Sequence, residues 1–246
     1  MEILHFPTVL GADVPTYNIP GIAAELQFVP AALAGIFLGT ITKWNDPLLS
    51  AANPNVRLPD RDIVVVFRSD GSGTTYIWTD YLAKVSDQWK RNVGVGTSVK
   101  FPVGSSATGN SGVASRVKET SYSIGYVELA YALEKKLSYG SVRNQAGRFV
   151  KAEVASVTAA AETLRGMPDD FRVSITNAPG ERTYPISSFT WLLFPEKFRD
   201  KSKSKAMKDF LRWILTDGQR LTVVYQYAPL PKEVVAREQQ ALANVQ

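Results

Sequence analysis

Apolar positions along the chain fall into blocks of alternating helical and strand-like spacing. The opening residues, Met1 to Leu10, read as a strand that begins almost at the first position. Val29 to Leu38 has Pro30 at its start, Leu33, Ile36 and Phe37 at helical spacing, and Gly39 as its stop. Turn residues follow at Asn45-Asp46-Pro47 and again at Asn53-Pro54-Asn55. Ile63 to Phe67 is an unbroken, mostly β-branched run, the pattern of a strand covered on both faces. Thr74 to Lys84 pairs Ile77 with Tyr81 and Trp78 with Leu82 four residues apart, which predicts a helix. Further helices are expected over Asn110 to Lys118 (burying Val113, Ala114 and Val117), Glu128 to Leu137 (burying Leu129, Ala132 and Leu133) and Val154 to Leu164. Lys205 to Leu215 is expected to bury Met207, Phe210, Leu211 and Ile214, and a polar helix follows Leu230-Pro231-Lys232. Strands are expected at Ser121 to Val127 and Ser187 to Phe194. This alternation argues for an α/β fold with a largely parallel sheet. Asn177-Ala178-Pro179-Gly180 is the best candidate boundary.

Composition narrows the chemistry. The 246 residues hold no Cys and one His, His5. Thiol catalysis, disulfides, Cys-based zinc sites and iron–sulfur clusters are therefore excluded. A mechanism built on a His base would rest on that single residue. The aromatic content (11 Phe, 10 Tyr and 5 Trp) is enough for a sizeable core. The formal charge of +5 is mild and gives no sign of nucleic-acid binding. No apolar run is long enough for a membrane-spanning helix. The first ten residues lack a basic leader and a small-residue cleavage site, so they do not read as a signal peptide.

One segment carries chemistry. In Val64-Val65-Val66-Phe67-Arg68-Ser69-Asp70-Gly71-Ser72-Gly73-Thr74 a buried strand ends, a cation follows, two glycines permit a tight turn, and hydroxyl residues begin a helix. The first N–H groups of a helix have no intrahelical partners and carry the positive end of its dipole, so an anion is favoured there. Gly71 and Gly73 allow close approach, Ser72 and Thr74 add hydroxyls, and Arg68 offers a fork of donors suited to a tetrahedral oxyanion. Asp70 can hold Arg68 in place. Gly and Ser alone would fit an ordinary strand–helix turn capped by Ser72 equally well; Arg68 and the buried strand tip the balance toward a site. The Gly-Lys-Ser/Thr of a phosphate-binding NTP loop is absent, the dinucleotide glycine pattern fails at Tyr76, and no nucleophile elbow is present.

With these residues in hand, the chain resembles the phosphate-binding component of bacterial Pst-type ABC phosphate transporters, the PstS family. The resemblance runs from Leu4 to about Arg237. It rests on Phe6-Pro7-Thr8-Val9, Gly39 to Pro47, Arg68 to Thr74, Gly109 to Ala114, Ile124 to Glu128 and Tyr184-Pro185-Ile186, in that order. It implies a two-lobed periplasmic-binding-protein fold of type II, with inorganic phosphate held in the cleft between lobes. By resemblance, Arg68, Ser72, Gly73 and Thr74 are the phosphate ligands, with Asp70 and Gly71 supporting them. No catalysis, cofactor or metal is implied. The implied partners are phosphate and the membrane subunits of an ABC transporter, with a monomer as the full-length form. The implied location is periplasmic or cell-surface.

The resemblance also carries departures. Family members have a stretch before the first crossover strand that forms most of the first lobe and supplies further ligand contacts, including an acidic residue that accepts a hydrogen bond from protonated phosphate and so rejects sulfate. The present sequence opens inside that crossover strand. The expected organisation is residues 1–9 as the first crossover strand, 10–180 as a complete second lobe, and 181–246 as the second crossover and the C-terminal remnant of the first lobe. Such a chain is expected to bind phosphate weakly and to expose apolar helix faces, for example over Lys205 to Leu215. A second departure is Val103 to Gly109, where the family is richer in glycine; no ligand contact is assigned there. Two alternatives stand beside this reading. One is a phosphate-ester hydrolase using the same oxyanion turn, and the other is an interaction fragment that binds no ligand.

Other features have plain readings. His5 fits a solvent-facing or hydrogen-bonded strand residue, and the five Trp fit core or rim positions. The basic run from Lys197 to Lys208 fits a solvated loop and helix start.

Overall fold

The computed structural model describes residues 3–243, so the first two residues of the expected opening strand and the last three of the chain lie outside the described residues. In chain order the elements are β1 (Ile3–Asn18), β2 (Gln27–Phe28), α1 (Pro30–Leu38), α2 (Pro47–Ala52), β3 (Val64–Arg68), α3 (Gly73–Val85), α4 (Asp87–Asn92), β4 (Ser105–Ala107), α5 (Gly109–Glu119), β5 (Ser123–Glu128), α6 (Leu129–Glu134), β6 (Ser138–Tyr139), β7 (Ser141–Arg143), β8 (Phe149–Val150), α7 (Val154–Glu162), β9 (Ser187–Pro195), α8 (Lys201–Ile214) and α9 (Lys232–Ala243). Two 3₁₀ turns, Asp217–Arg220 and Thr222–Tyr225, separate α8 from α9.

The sixteen-residue β1 organises the molecule by changing partners along its length. Ile3 to Ala12 pairs antiparallel with β9, with a register shift between Pro7 and Val9. Asp13 to Asn18 pairs antiparallel with β5, and Thr16 and Tyr17 also pair with β6. The sheet order is β4-β3-β5-β1-β6, with β9 joined to β1. Within this sheet the β4–β3 and β3–β5 pairings are parallel, and β1 runs against its three partners. The expected largely parallel sheet is thus a mixed one, because β1 enters against the direction of β3 and β5. A small second sheet is formed by β2, β7 and β8.

Local sequence explains most elements. Pro30 sits in the first turn of α1, and Gly39 ends it in the left-handed region at φ 75°, as the Pro–Gly bracket predicts. The turn expected at Asn45-Asp46-Pro47 is present, closed by the Asp46 N–H on Lys43 O at 3.2 Å, and it leads directly into α2 at Pro47. Asp46 caps it by accepting the Leu48 N–H at 2.9 Å, with Pro47 in the first turn. A helix of six residues is too short to show a period. β3 lies one residue later than the apolar run, and Val64 is exposed. α6 ends at Glu134, which leaves Leu133 exposed and not buried as expected.

The core between α1, α3 and the sheet is aromatic. Trp78 packs on Phe37 at 5.1 Å between ring centres and stacks on Tyr126 at 5.1 Å and 12°. Such pairs contribute about 1 kcal/mol each beyond their burial. They also fix the Tyr126 ring, whose hydroxyl points to the end of β3. Trp44, Trp78 and Trp89 are fully buried and Trp191 is half-buried, which fits core or rim positions, whereas Trp213 is exposed.

The C-terminal part is packed on one side only. On α8, Leu211 is buried and Met207 and Ile214 are half-buried, but Phe210 is 49% exposed, against the expected burial. Trp213, Leu221, Val223, Val224 and Tyr225 are exposed beside it. This is a contiguous apolar face of the kind that marks a covered surface in other proteins. The basic run is solvated, and Lys205 pairs with Asp209 one helical turn on. Among the described residues, no helix is long and apolar enough to cross a membrane.

Candidate functional site

The turn from β3 into α3 opens onto a cavity of about 560 Å³, several times larger than a tetrahedral oxyanion. Its walls come from both halves of β1, the end of β3, the start of α3, the end of β5 and the facing side of β9. Arg68, Gly71, Ser72, Gly73 and Thr74 all line it, and Asp70 stands behind Arg68.

Arg68 ends β3 with its side chain only 9% exposed. Its Nε donates to Asp70 Oδ1 at 2.9 Å and its Nη2 to Oδ2 at 2.6 Å, a two-pronged pair that fixes the plane of the guanidinium. Asp70 Oδ1 also accepts the Gly109 N–H at 3.0 Å. The Arg68 hydrogen bond, followed by that N–H, holds the Asp70 carboxyl well below the usual range, and Asp70 in turn raises the Arg68 pKa. Two of the five guanidinium N–H donors are spent on Asp70, and the rest have no protein acceptor among the described residues.

Ser72 does two jobs. Its Oγ caps α3 by accepting the Thr75 N–H at 3.2 Å, and its own N–H donates to Thr97 O at 2.8 Å. The hydroxyl proton stays available to an acceptor in the cavity. The backbone N–H groups of Gly73 and Thr74, in the first turn of a thirteen-residue helix, have no protein acceptor among the described residues. Neither Gly71 nor Gly73 has a positive φ, and a Cβ at either would meet nothing within 4 Å. The backbone conformation therefore does not demand glycine at these positions. Open space in front of the N–H groups is what glycine preserves there.

Several supporting residues carried no role in the sequence reading. Tyr126 Oη lies 2.7 Å from Thr75 Oγ1 and accepts the Arg68 N–H at 3.3 Å, and burial pushes its phenol up to about 12. Asn110 donates to Thr74 Oγ1 at 3.3 Å and accepts the Glu128 N–H at 3.4 Å, tying α3, α5 and β5 together at the rim. Asp13 and Glu128 stand opposite each other in the β1–β5 register, and both line the cavity. Burial raises both carboxyl pKa values, Asp13 well above the usual range, with each fact favouring the neutral acid. The Tyr227 hydroxyl also donates to Glu128. Against these stand Arg68 and the α3 N-terminus, so the cavity suits an anion. None of residues 103–109 lines it, although Gly109 steadies Asp70 from behind. His5 is half-buried on β1 and lines the same cavity. Among the described residues, no group of three or more His, Asp or Glu side chains is placed to hold a metal ion.

The same elements recur in known proteins. A family model described as "PBP superfamily domain" matches residues 1–218. The phosphate-binding protein PstS of Pasteurella multocida is 43% identical over 244 residues, covering 97% of this chain and 70% of that protein. The chain belongs to the PstS family. PstS of Xylella fastidiosa (strain Temecula1) is 45% identical over 233 residues, covering 94% of this chain and 64% of that protein. The chain thus spans about two thirds of the length of these curated PstS relatives. Its fold is shared with a solved high affinity periplasmic phosphate-binding protein (PfluDING) bound with phosphate. The TM-score is 0.78 at 23% identity, over 97% of this chain and 71% of the other. The α/β periplasmic-binding-protein architecture and the PstS membership expected from the Arg68 to Thr74 turn and its companion motifs are therefore correct.

Proposed function

We propose that the chain binds inorganic phosphate in this cavity without chemical conversion and serves phosphate uptake by an ABC transporter. Arg68 and the backbone N–H groups of Gly73 and Thr74 hold phosphate oxygens, the hydroxyls of Ser72 and Thr74 add donors, and Asp70 and Gly71 keep the turn in shape. The carrying observation is the meeting, in one cavity, of a guanidinium locked by Asp70 and a helix N-terminus with unfilled N–H groups. The names of the PstS relatives support phosphate as the anion, and they give the hydrolase alternative no support. Delivery to membrane subunits, a periplasmic location and a monomeric form belong to the same reading. So does the division into residues 1–9, 10–180 and 181–246; the partner change of β1 between Ala12 and Asp13 supports a crossover near that point.

Titration calorimetry with phosphate tests the reading, and Gly73→Ala sharpens it. Because the added methyl meets no protein atom and alanine is a better helix former, the melting temperature is expected to hold or rise. Phosphate affinity is expected to fall about tenfold or more, a loss of about 1.4 kcal/mol, as the methyl crowds the N–H groups. Unchanged affinity in a folded Gly73→Ala protein would remove the helix terminus from the site.

A further inference from the structure

Asp13 is the least explained group in the cavity. It lies on β1 where that strand leaves β9 for β5, it is 2% exposed, and its Oδ2 has no hydrogen-bond partner among the described residues. Every charged or titratable group facing it is accounted for. Glu128 stands opposite on β5, Arg68 approaches from β3, Tyr126 lies on β5, and Tyr184 and Tyr227 come from the segments before β9 and before α9. Arg68 spends two donors on Asp70 and makes no hydrogen bond to Asp13, and Tyr227 donates to Glu128. Tyr126 is bound to Thr75, and the Tyr184 hydroxyl donates to the backbone oxygen of Asp13 at 2.9 Å, not to its carboxyl. A buried polar atom left this way is unfavourable unless something pairs with it.

The anion completes the set. We propose that Asp13 is a further ligand-contacting residue of this cavity, its carboxyl group donating a hydrogen bond to the bound oxyanion. The inference rests on the phosphate-binding reading. Two arrangements are conceivable for a carboxyl beside an anion. An ionised Asp13 would set a negative charge against both the ligand and Glu128, in a buried place with no donor of its own. A neutral Asp13 instead offers an O–H from the cavity wall to a ligand made of acceptors. The buried position favours that neutral form. Asp13 therefore strengthens anion binding most at low pH and does not reject sulfate.

Inorganic sulfate is the useful probe, because its charge is constant from about pH 5.5 to about pH 8.5 while phosphate titrates near pH 6–7. For the unaltered chain, sulfate affinity is expected to fall about tenfold or more over that range. Asp13→Asn, with a permanent N–H donor, should bind with little pH dependence. Asp13→Val should bind weakly at low pH and show the same flat profile. His5 also lines the cavity and is unchanged in all three proteins, so the reading is taken from the differences between them. The proposal fails if Asp13→Asn keeps the original pH slope, if Asp13→Val binds as tightly as the unaltered chain at low pH, or if phosphate is bound while sulfate is refused throughout. An infrared difference spectrum reads the same group without ligand. The spectrum of the unaltered chain minus that of Asp13→Asn should show a protonated-carboxyl band at neutral pH, the band of the buried Glu238 being common to both and cancelling, and its absence overturns the proposal. If the chain binds neither anion, the phosphate-binding reading falls and takes this contact with it, whereas phosphate binding indifferent to Asp13 sinks the contact alone.

Discussion

Arg68→Ala is expected to weaken phosphate binding by about a hundredfold or more, equivalent to about 3 kcal/mol. Two losses add. The variant removes charge-assisted hydrogen bonds to the ligand, each among the stronger kinds a protein makes. It also strips Asp70 of its partner, leaving a carboxylate whose remaining support is the Gly109 N–H close to the anion. Arg68→Lys should recover little, since an ammonium cannot pair with both oxygens of Asp70 in one plane and still present donors to the ligand. The double variant Arg68→Ala/Asp70→Asn should recover part of the loss, because the orphaned charge is gone. Calorimetry reads the affinities, and a thermal melt confirms that each variant is folded. An Arg68→Ala protein that melts normally and binds phosphate as before would refute the site and favour the interaction-fragment reading.

The turn that holds Arg68 was legible because its signals are local. A strand end, a cation, two glycines and a capping serine are neighbours in sequence, and the structure keeps them neighbours around one cavity. Pro30 and Gly39 bracketed α1 for the same reason. What the sequence hid depends on pairing between distant segments. The antiparallel entry of β1 beside β5 is invisible until residues 13–18 meet 123–128, so a mixed sheet read as a parallel one. Asp13 acquires its place opposite Glu128 by that same pairing, although a lone carboxylate inside an apolar strand was a signal available in the sequence. Phe210 and Leu133 fit helical periods yet stay exposed, since a period identifies a face but not whether anything covers it. Asn110 and Tyr126 sat inside segments that carried the family resemblance, but their roles as braces appear only when α3, α5 and β5 converge.

The largest effect on stability is expected at Glu238. Val234, Glu238 and Leu242 form the buried stripe of α9 at four-residue spacing, and the middle position is a carboxyl. Glu238 is 0% exposed, neither side-chain oxygen has a partner among the described residues, and burial pushes its pKa up from the usual 4.5 to about 9. The sign follows from proton linkage. Below about pH 4.5 both the folded and unfolded chains carry the proton, and titration costs nothing. Above that the unfolded chain releases it while the folded chain must keep it, so stability falls by about 1.4 kcal/mol per pH unit until about pH 9. At pH 7 the accumulated loss is about 3 kcal/mol. Glu238→Met, similar in length and free of charge, is expected to raise the melting temperature at neutral pH on the order of 10 °C. The advantage should shrink to the smaller cost of an unpaired polar group near about pH 4.5. Glu238→Gln should flatten the pH dependence equally but stabilise less, because its amide is also buried without partners. Melting curves at a series of pH values decide the matter: if the unaltered chain and Glu238→Met keep a constant separation from acid to alkaline pH, Glu238 is not held as the buried neutral acid.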